Sequence, residues 1–104
     1  RKLVAYIGLG NVRKTTVKYA VLYELNDPYA KGEVQFGFEL NEETEIKLQL
    51  LDKKDKVLKV LKEEKLQEGI FPVHFDTKDF PRGEYFYELI TPYQKITKKF
   101  FIVN

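Results

Sequence analysis

Residues 34–40 decide the fold, and they read Val34-Gln35-Phe36-Gly37-Phe38-Glu39-Leu40. Large apolar side chains alternate here with small or polar ones. This period of two places successive side chains on opposite faces of a β-strand. We therefore predict a strand with one face buried and the other in contact with solvent.

A second run with the same period begins after a polar turn over residues 41–44 and contains Ile46, Leu48 and Leu50. We expect these two runs to form a hairpin. Further strands are predicted at residues 3–7, 17–25, 73–75, 85–89 and 96–103. Seven or eight short strands, with turns about every 8 to 12 residues, are typical of a β-sandwich or barrel.

Residues 56–66 are ambiguous, because Val57, Leu58 and Leu61 also fit a helical stripe. We predict a strand at residues 57–62 followed by a loop, since the neighbouring segments are all strands. A helix in this place would move the fold class towards α+β.

The composition sets limits on size and function. A chain of 104 residues is sufficient for one domain, and 43% hydrophobic content indicates that it folds. The net charge is only +2, which gives no support for a nucleic-acid partner. No apolar run approaches the ~20 residues needed to cross a bilayer, so no membrane insertion is expected. The absence of methionine leads us to expect a processed product or a segment of a longer protein.

No residue pattern predicts catalysis, a cofactor or a bound metal, and we do not expect an enzyme. There is no cysteine, and the single histidine, His74, lies between two apolar strand residues and is expected to face solvent. Asp76 and Asp79 provide too few oxygens for calcium. The glycines of residues 8–14 lack the remainder of a phosphate-binding motif, and we interpret them as a turn.

The chain contains seven tyrosines and eight phenylalanines. Most lie on the inward phase of the predicted strands, and we assign to the core Phe36, Phe38, Phe75 and Leu89. Three tyrosines nearer to turns are candidate anchors for a carbohydrate or peptide ligand. These are Tyr6, Tyr29 and Tyr93.

Two segments carry a family resemblance, Gly69-Ile70-Phe71-Pro72-Val73-His74-Phe75-Asp76 and Phe80-Pro81-Arg82-Gly83-Glu84-Tyr85-Phe86-Tyr87-Glu88-Leu89. With the Lys-rich end at residues 98–103, they resemble the type A C-terminal sorting domain of proteins exported by the bacterial type IX secretion system. The resemblance covers residues 22–104, and the same pattern is similar to the immunoglobulin-like domain of flagellar-hook capping proteins. It implies a single all-β domain over residues 1–104, an immunoglobulin-like antiparallel β-sandwich, with residues 1–21 as extra N-terminal strands.

The resemblance also implies a function. The domain would direct a parent protein, lying upstream in the chain, through the type IX translocon to the cell surface or medium by way of the periplasm. A sortase-like peptidase would then act on it. We expect recognition to use the final hairpin, whose edge carries lysines, and we assign to recognition Pro81, Gly83, Tyr85, Tyr87, Lys95, Lys98 and Lys99.

Three positions depart from the family pattern. Asp55 occupies a turn position that is usually glycine, Asn26-Asp27-Pro28 replaces two prolines around an asparagine, and Asn104 stands where lysine or arginine is usual. The alternative function is therefore kept open: an accessory β-sandwich of a surface protein or glycan-active enzyme, which binds carbohydrate or a protein through its loop tyrosines.

Overall fold

The computed structural model describes residues 20–104, which form eight β-strands and no helix. The predicted all-β class is confirmed. The predicted strand at 3–7, the turn at 8–10, Tyr6 and residues 17–19 lie outside the described residues. The strands are β1 (Ala20–Leu22), β2 (Tyr29–Ala30), β3 (Glu33–Leu40), β4 (Thr44–Asp52), β5 (Val57–Leu66), β6 (Gly69–Asp76), β7 (Gly83–Ile90) and β8 (Lys95–Ile102).

The strands form two sheets that pack face to face as an immunoglobulin-like sandwich. One sheet has the order β1-β3-β6 and the other has the order β2-β8-β7-β4-β5. All neighbouring strands are antiparallel except β2 and β8, which are parallel. The predicted sandwich of seven or eight strands is thus confirmed.

The core lies between the sheets and is built from the apolar phase of each strand. The four residues assigned to it from the sequence, Phe36, Phe38, Phe75 and Leu89, are all buried. Phe36 stacks on Tyr87 of the opposite sheet with ring centroids 4.5 Å apart, and Phe100 meets Phe36 edge-on at 5.4 Å. Burying each such side chain contributes about 1.5–3 kcal/mol.

The predicted hairpin between residues 34–40 and 46–50 is wrong. β3 pairs with β1 and β6, whereas β4 pairs with β5 and β7 in the other sheet. The alternation of side chains shows which face is buried, but it does not show which strand pairs at each edge. Residues 41–43 cross from one sheet to the other, so that the two apolar faces meet in the core.

β5 is a strand, as predicted, but it continues through residues 63–66, where we expected a loop. Glu63, Glu64 and Lys65 all pair with β4. Charged residues without alternation predict a loop, yet main-chain pairing with β4 makes them a strand. The register shifts twice along this pair, as β-bulges do at sheet edges.

The turn between β4 and β5 is organised by Asp52. Its carboxylate accepts hydrogen bonds from the backbone N–H of Lys54 (2.8 Å) and Lys56 (2.9 Å). The bond from Lys56 is the main reason why the pKa of Asp52 is lowered. Asp55 has φ 66°, the left-handed conformation that glycine adopts without steric cost. Asp55 therefore has a glycine-like backbone at the position where the resembled family usually has glycine.

We predict that Asp55→Val lowers the free energy of unfolding by about 1–2 kcal/mol, because a branched side chain is strained at positive φ. Asp55→Gly removes the same carboxylate without this strain, and we expect it not to destabilise the domain. Urea unfolding of the two variants measures the difference. An equal loss in both would show that the carboxylate, and not the backbone conformation, matters at this position.

Candidate interaction site on the C-terminal hairpin

The hairpin of β7 and β8 begins with a corner at residues 81–85. The Tyr85 hydroxyl donates a hydrogen bond to the Pro81 carbonyl at 2.7 Å, and Gly83 has φ 155°. A tyrosine at the start of this strand that bonds to the backbone a few residues upstream is the tyrosine corner of immunoglobulin-like domains. Tyr85 is itself buried. Pro81, Gly83 and Tyr85 thus fix the geometry with which the hairpin begins.

Tyr87 ties this hairpin to the opposite side of the sandwich. Its ring is fully buried and its hydroxyl donates to the Tyr23 carbonyl at 3.0 Å, just after β1. Burial raises the pKa of Tyr87. A tyrosine hydroxyl is protonated at neutral pH even without such a shift, so it is available as the donor of this bond. The sequence predicts a role in recognition for Tyr85 and Tyr87. Both side chains are buried inside the folded domain, where their hydroxyls donate hydrogen bonds to the backbone.

The three lysines assigned to recognition lie on one strand but on two faces. Lys98 pairs with Tyr87 and is half-buried, whereas Lys95 and Lys99 are exposed on the outer face of the five-stranded sheet. Lys99 Nζ lies 3.2 Å from the Glu84 carboxylate and 5.9 Å from the centre of the Phe101 ring. The three lysine side chains therefore project from both faces of β8 between residues 95 and 99.

A groove runs beside this stretch of β8. Its volume is about 550 Å³, and it is lined by Glu24, Leu25 and Pro28 on one side and by residues 97–99 on the other. Tyr87 also lines it. The groove thus lies between β8 and the segment that contains Glu24, Leu25 and Pro28. This segment follows Tyr23, whose carbonyl accepts the hydrogen bond from the Tyr87 hydroxyl.

A second surface feature is an exposed aromatic pair. Tyr29 of β2 is 58% exposed and stacks on Phe101 of β8 with ring centroids 5.4 Å apart. Arg82 and Glu84 line the same shallow depression. Tyr93 is 57% exposed but lies in the turn between β7 and β8, at the opposite end of β8. Tyr29 and Tyr93, the two candidate tyrosines within the described residues, are therefore far apart along β8.

His74 and Glu88 are in ordinary structural environments. His74 is exposed as predicted, with Nδ1 3.7 Å from the Glu33 carboxylate. The buried Glu88 accepts hydrogen bonds from Gln49 (2.8 Å) and Thr97 (2.7 Å). Residues 20–104 contain no cluster of three or more histidine, aspartate or glutamate side chains arranged to hold a metal. No helix within this range could span a membrane.

Sequence reasoning missed Thr97, Phe101 and Glu84 as parts of this surface. A signal for two of them was available, since Lys95, Thr97, Lys99 and Phe101 share one phase of β8 and must face the same side. The contact between Tyr29 and Phe101 could not be predicted from the sequence, because it depends on the pairing of two strands that are distant in the chain.

No protein-family model matches this sequence, and a search of the curated proteins finds no match. Inference about function therefore rests on the fold and on the chemistry of the hairpin surface.

We predict that Tyr85→Phe lowers the free energy of unfolding by about 0.5–1.5 kcal/mol, since it removes the corner hydrogen bond and leaves the ring packing unchanged. Urea denaturation measures this. Tyr23→Phe is a matched control, because its hydroxyl bonds Glu39 at the exposed surface, where we expect a change within about 0.5 kcal/mol. No loss in Tyr85→Phe would contradict a stabilising corner.

Proposed function

We propose that this domain is a non-catalytic sorting module, which directs an exported parent protein through the type IX system to the cell surface or medium. The observation that carries the proposal is the final hairpin, in which a tyrosine corner holds a strand flanked by Lys95, Lys98 and Lys99. The partners are the type IX translocon and its sortase-like peptidase. The domain passes through the periplasm on this route.

The two groups of hairpin residues have different tasks in this proposal. Pro81, Gly83, Tyr85 and Tyr87 make the hairpin rigid, and the lysines contact the translocon. A rigid recognition element loses little conformational entropy on binding. Clustered positive charge favours an acidic partner and accelerates encounter with it.

The test is to fuse residues 1–104 to a fluorescent reporter with an export signal, in a bacterium that has a type IX system. We expect the reporter outside the outer membrane. The double variant Lys95→Glu, Lys98→Glu is expected to reduce secretion about tenfold, which corresponds to roughly 1.4 kcal/mol of lost binding. Charge reversal is preferable to deletion of the hairpin, because β7 and β8 lie inside the five-stranded sheet.

The matched control is Lys53→Glu, Lys54→Glu, which reverses two exposed charges in the turn between β4 and β5. We expect it to be secreted as efficiently as the unmodified fusion. Thermal unfolding checks that both variants fold. Retention of the folded, unmodified fusion in the periplasm would overturn the sorting function, and equal secretion of both variants would overturn the role of the lysines.

A second candidate function is supported by the aromatic pair. Exposed aromatic rings are common anchors for sugars and peptides, and the Tyr29–Phe101 stack, with Arg82 and Glu84 beside it, fits an accessory binding module.

If the domain binds glycans, Tyr29→Ala should weaken binding about tenfold, the effect of losing ~1.4 kcal/mol at an anchor. Affinity electrophoresis through gels containing soluble polysaccharides measures it. Tyr93→Ala removes an equally exposed tyrosine and should have no effect. Unretarded migration of the unmodified domain in every gel would count against this candidate.

A further inference from the structure

Three segments that are far apart in the chain meet at the end of the sandwich where β8 finishes. They lie between β2 and β3, between β6 and β7, and after β8: residues 30–32, 77–80 and 103–104. The Val103 N–H donates to the Ala30 carbonyl at 2.9 Å, and the Thr77 N–H donates to the Gly32 carbonyl at 2.9 Å. The exposed corner, residues 81–83, begins directly after the second segment.

The side chain of Asn104 joins these segments. Its Nδ2 donates to the Thr77 carbonyl at 2.7 Å and to the Phe80 carbonyl at 3.3 Å. Its Oδ1 lies 3.0 Å from the Thr77 hydroxyl and accepts the Gly32 N–H at 3.4 Å. These contacts need a group that both donates and accepts, which a carboxamide does. A carboxylate only accepts, and a lysine or arginine only donates, so neither kind of side chain can replace it.

Thr77 is the buried centre of this arrangement. The whole residue is inaccessible to solvent, and its hydroxyl lies 2.7 Å from the Gly32 carbonyl. Its own carbonyl accepts the Phe80 N–H at 3.0 Å as well as the amide of Asn104. Buried polar groups that lose a partner are costly, because water cannot replace it. The turn at residues 77–80 therefore depends on the Asn104 amide.

This turn leads into the exposed corner. The Phe80 ring packs inward, with its centroid 5.2 Å from that of Phe75 and 6.3 Å from that of Tyr85. The Tyr85 hydroxyl bonds the carbonyl of the first corner residue at 2.7 Å. The corner is thus held by Tyr85 on its β7 side and, on its other side, by Phe80, whose carbonyl accepts a hydrogen bond from Asn104.

We infer that Asn104 is a positioning residue, whose amide holds the exposed corner in the conformation that a partner of the hairpin recognises. An element that is fixed before binding loses little conformational entropy when it binds. The resembled family usually has lysine or arginine at this position, and neither can accept the Gly32 N–H. The identity of the partner, the type IX translocon, rests on the proposed function.

NMR hydrogen exchange on the full chain tests whether the amide holds the turn. Asn104→Asp keeps the size of the side chain, but it replaces the donor with a second oxygen, which then faces two carbonyls. We expect the Thr77 and Phe80 amides to exchange at least about tenfold faster, and the Leu48 amide of β4 to change by less than about twofold. Unchanged exchange at Thr77 and Phe80 would overturn the inference.

Asn26→Asp is the matched control for this measurement. It makes the same chemical change at an exposed asparagine in the bend before β2. We expect it to leave exchange at Thr77 and Phe80 unaltered. Asn104→Ala removes the same donor without adding a charge, and it should accelerate exchange at both amides as Asn104→Asp does. It decides the question if Asn104→Asp does not fold.

Secretion of the reporter fusion separates positioning from stability. Ile46→Val removes one buried methyl group of β4, near the end of the sheet opposite to the corner, and weakens the fold without touching the turn. Both variants are compared at a temperature at which thermal unfolding shows them to be folded. We expect about tenfold less secretion of Asn104→Asp, and unaltered secretion of Ile46→Val. Equal secretion of the two variants would show that Asn104 has only a structural role.

The outcomes distinguish this inference from the sorting function. Retention of the folded, unmodified fusion in the periplasm contradicts sorting, and the exchange measurement then decides alone whether Asn104 holds the corner. Secretion of the unmodified fusion and of Asn104→Asp to the same extent contradicts the positioning role and leaves sorting intact.

Discussion

The contact between the Phe36 and Tyr87 rings holds the two sheets together, and the rest of the structure depends on it. Phe36 belongs to β3 and Tyr87 to β7, and their ring centroids are 4.5 Å apart. In antibody domains a disulfide joins the corresponding sheets, with the corner tyrosine two residues before its second cysteine. Here Tyr85 precedes Tyr87 by the same spacing, and the chain has no cysteine. Stacked rings therefore take the place of the covalent link, and aromatic pairs of this kind contribute about 0.5–1.5 kcal/mol beyond burial.

Tyr87 also connects the core to the candidate surface. One side chain stacks in the core, bonds the backbone after β1 and lines the groove beside β8. The position of the chain beside the groove thus depends on a side chain that is packed in the core. Of the motif residues that suggested a function, Tyr85 and Tyr87 are buried, whereas Pro81 and Gly83 are exposed.

The sequence predicts most of the strands and the core, because alternation at residues such as Phe36 and Leu89 directly reflects burial between two sheets. The strand expected over residues 17–25 is an exception: within the described residues it covers only Ala20–Leu22, and Ala20 and Leu22 are buried in place of Val21 and Tyr23. It does not predict pairing. The link at residues 41–43 has turn chemistry that suits a hairpin as well as a crossover, and Glu63 and Glu64 form a strand only because β4 lies beside them. The Tyr29–Phe101 stack, and the separation of Lys98 from Lys99 onto two faces, likewise require the register of distant strands.

The pairing of β2 with β8 has a consequence for the order of folding. It joins the two ends of the described chain, and nearby the Thr77 hydroxyl bonds the Gly32 carbonyl at 2.7 Å while the Asn104 side chain bonds the Thr77 carbonyl at 2.7 Å. Contacts between residues so far apart in sequence are costly in loop-closure entropy and form slowly. During synthesis, β2 cannot pair until β8 has left the ribosome, whereas β1 pairs with β3, which is synthesised much earlier. The complete five-stranded sheet therefore exists only in chains that have been synthesised as far as β8.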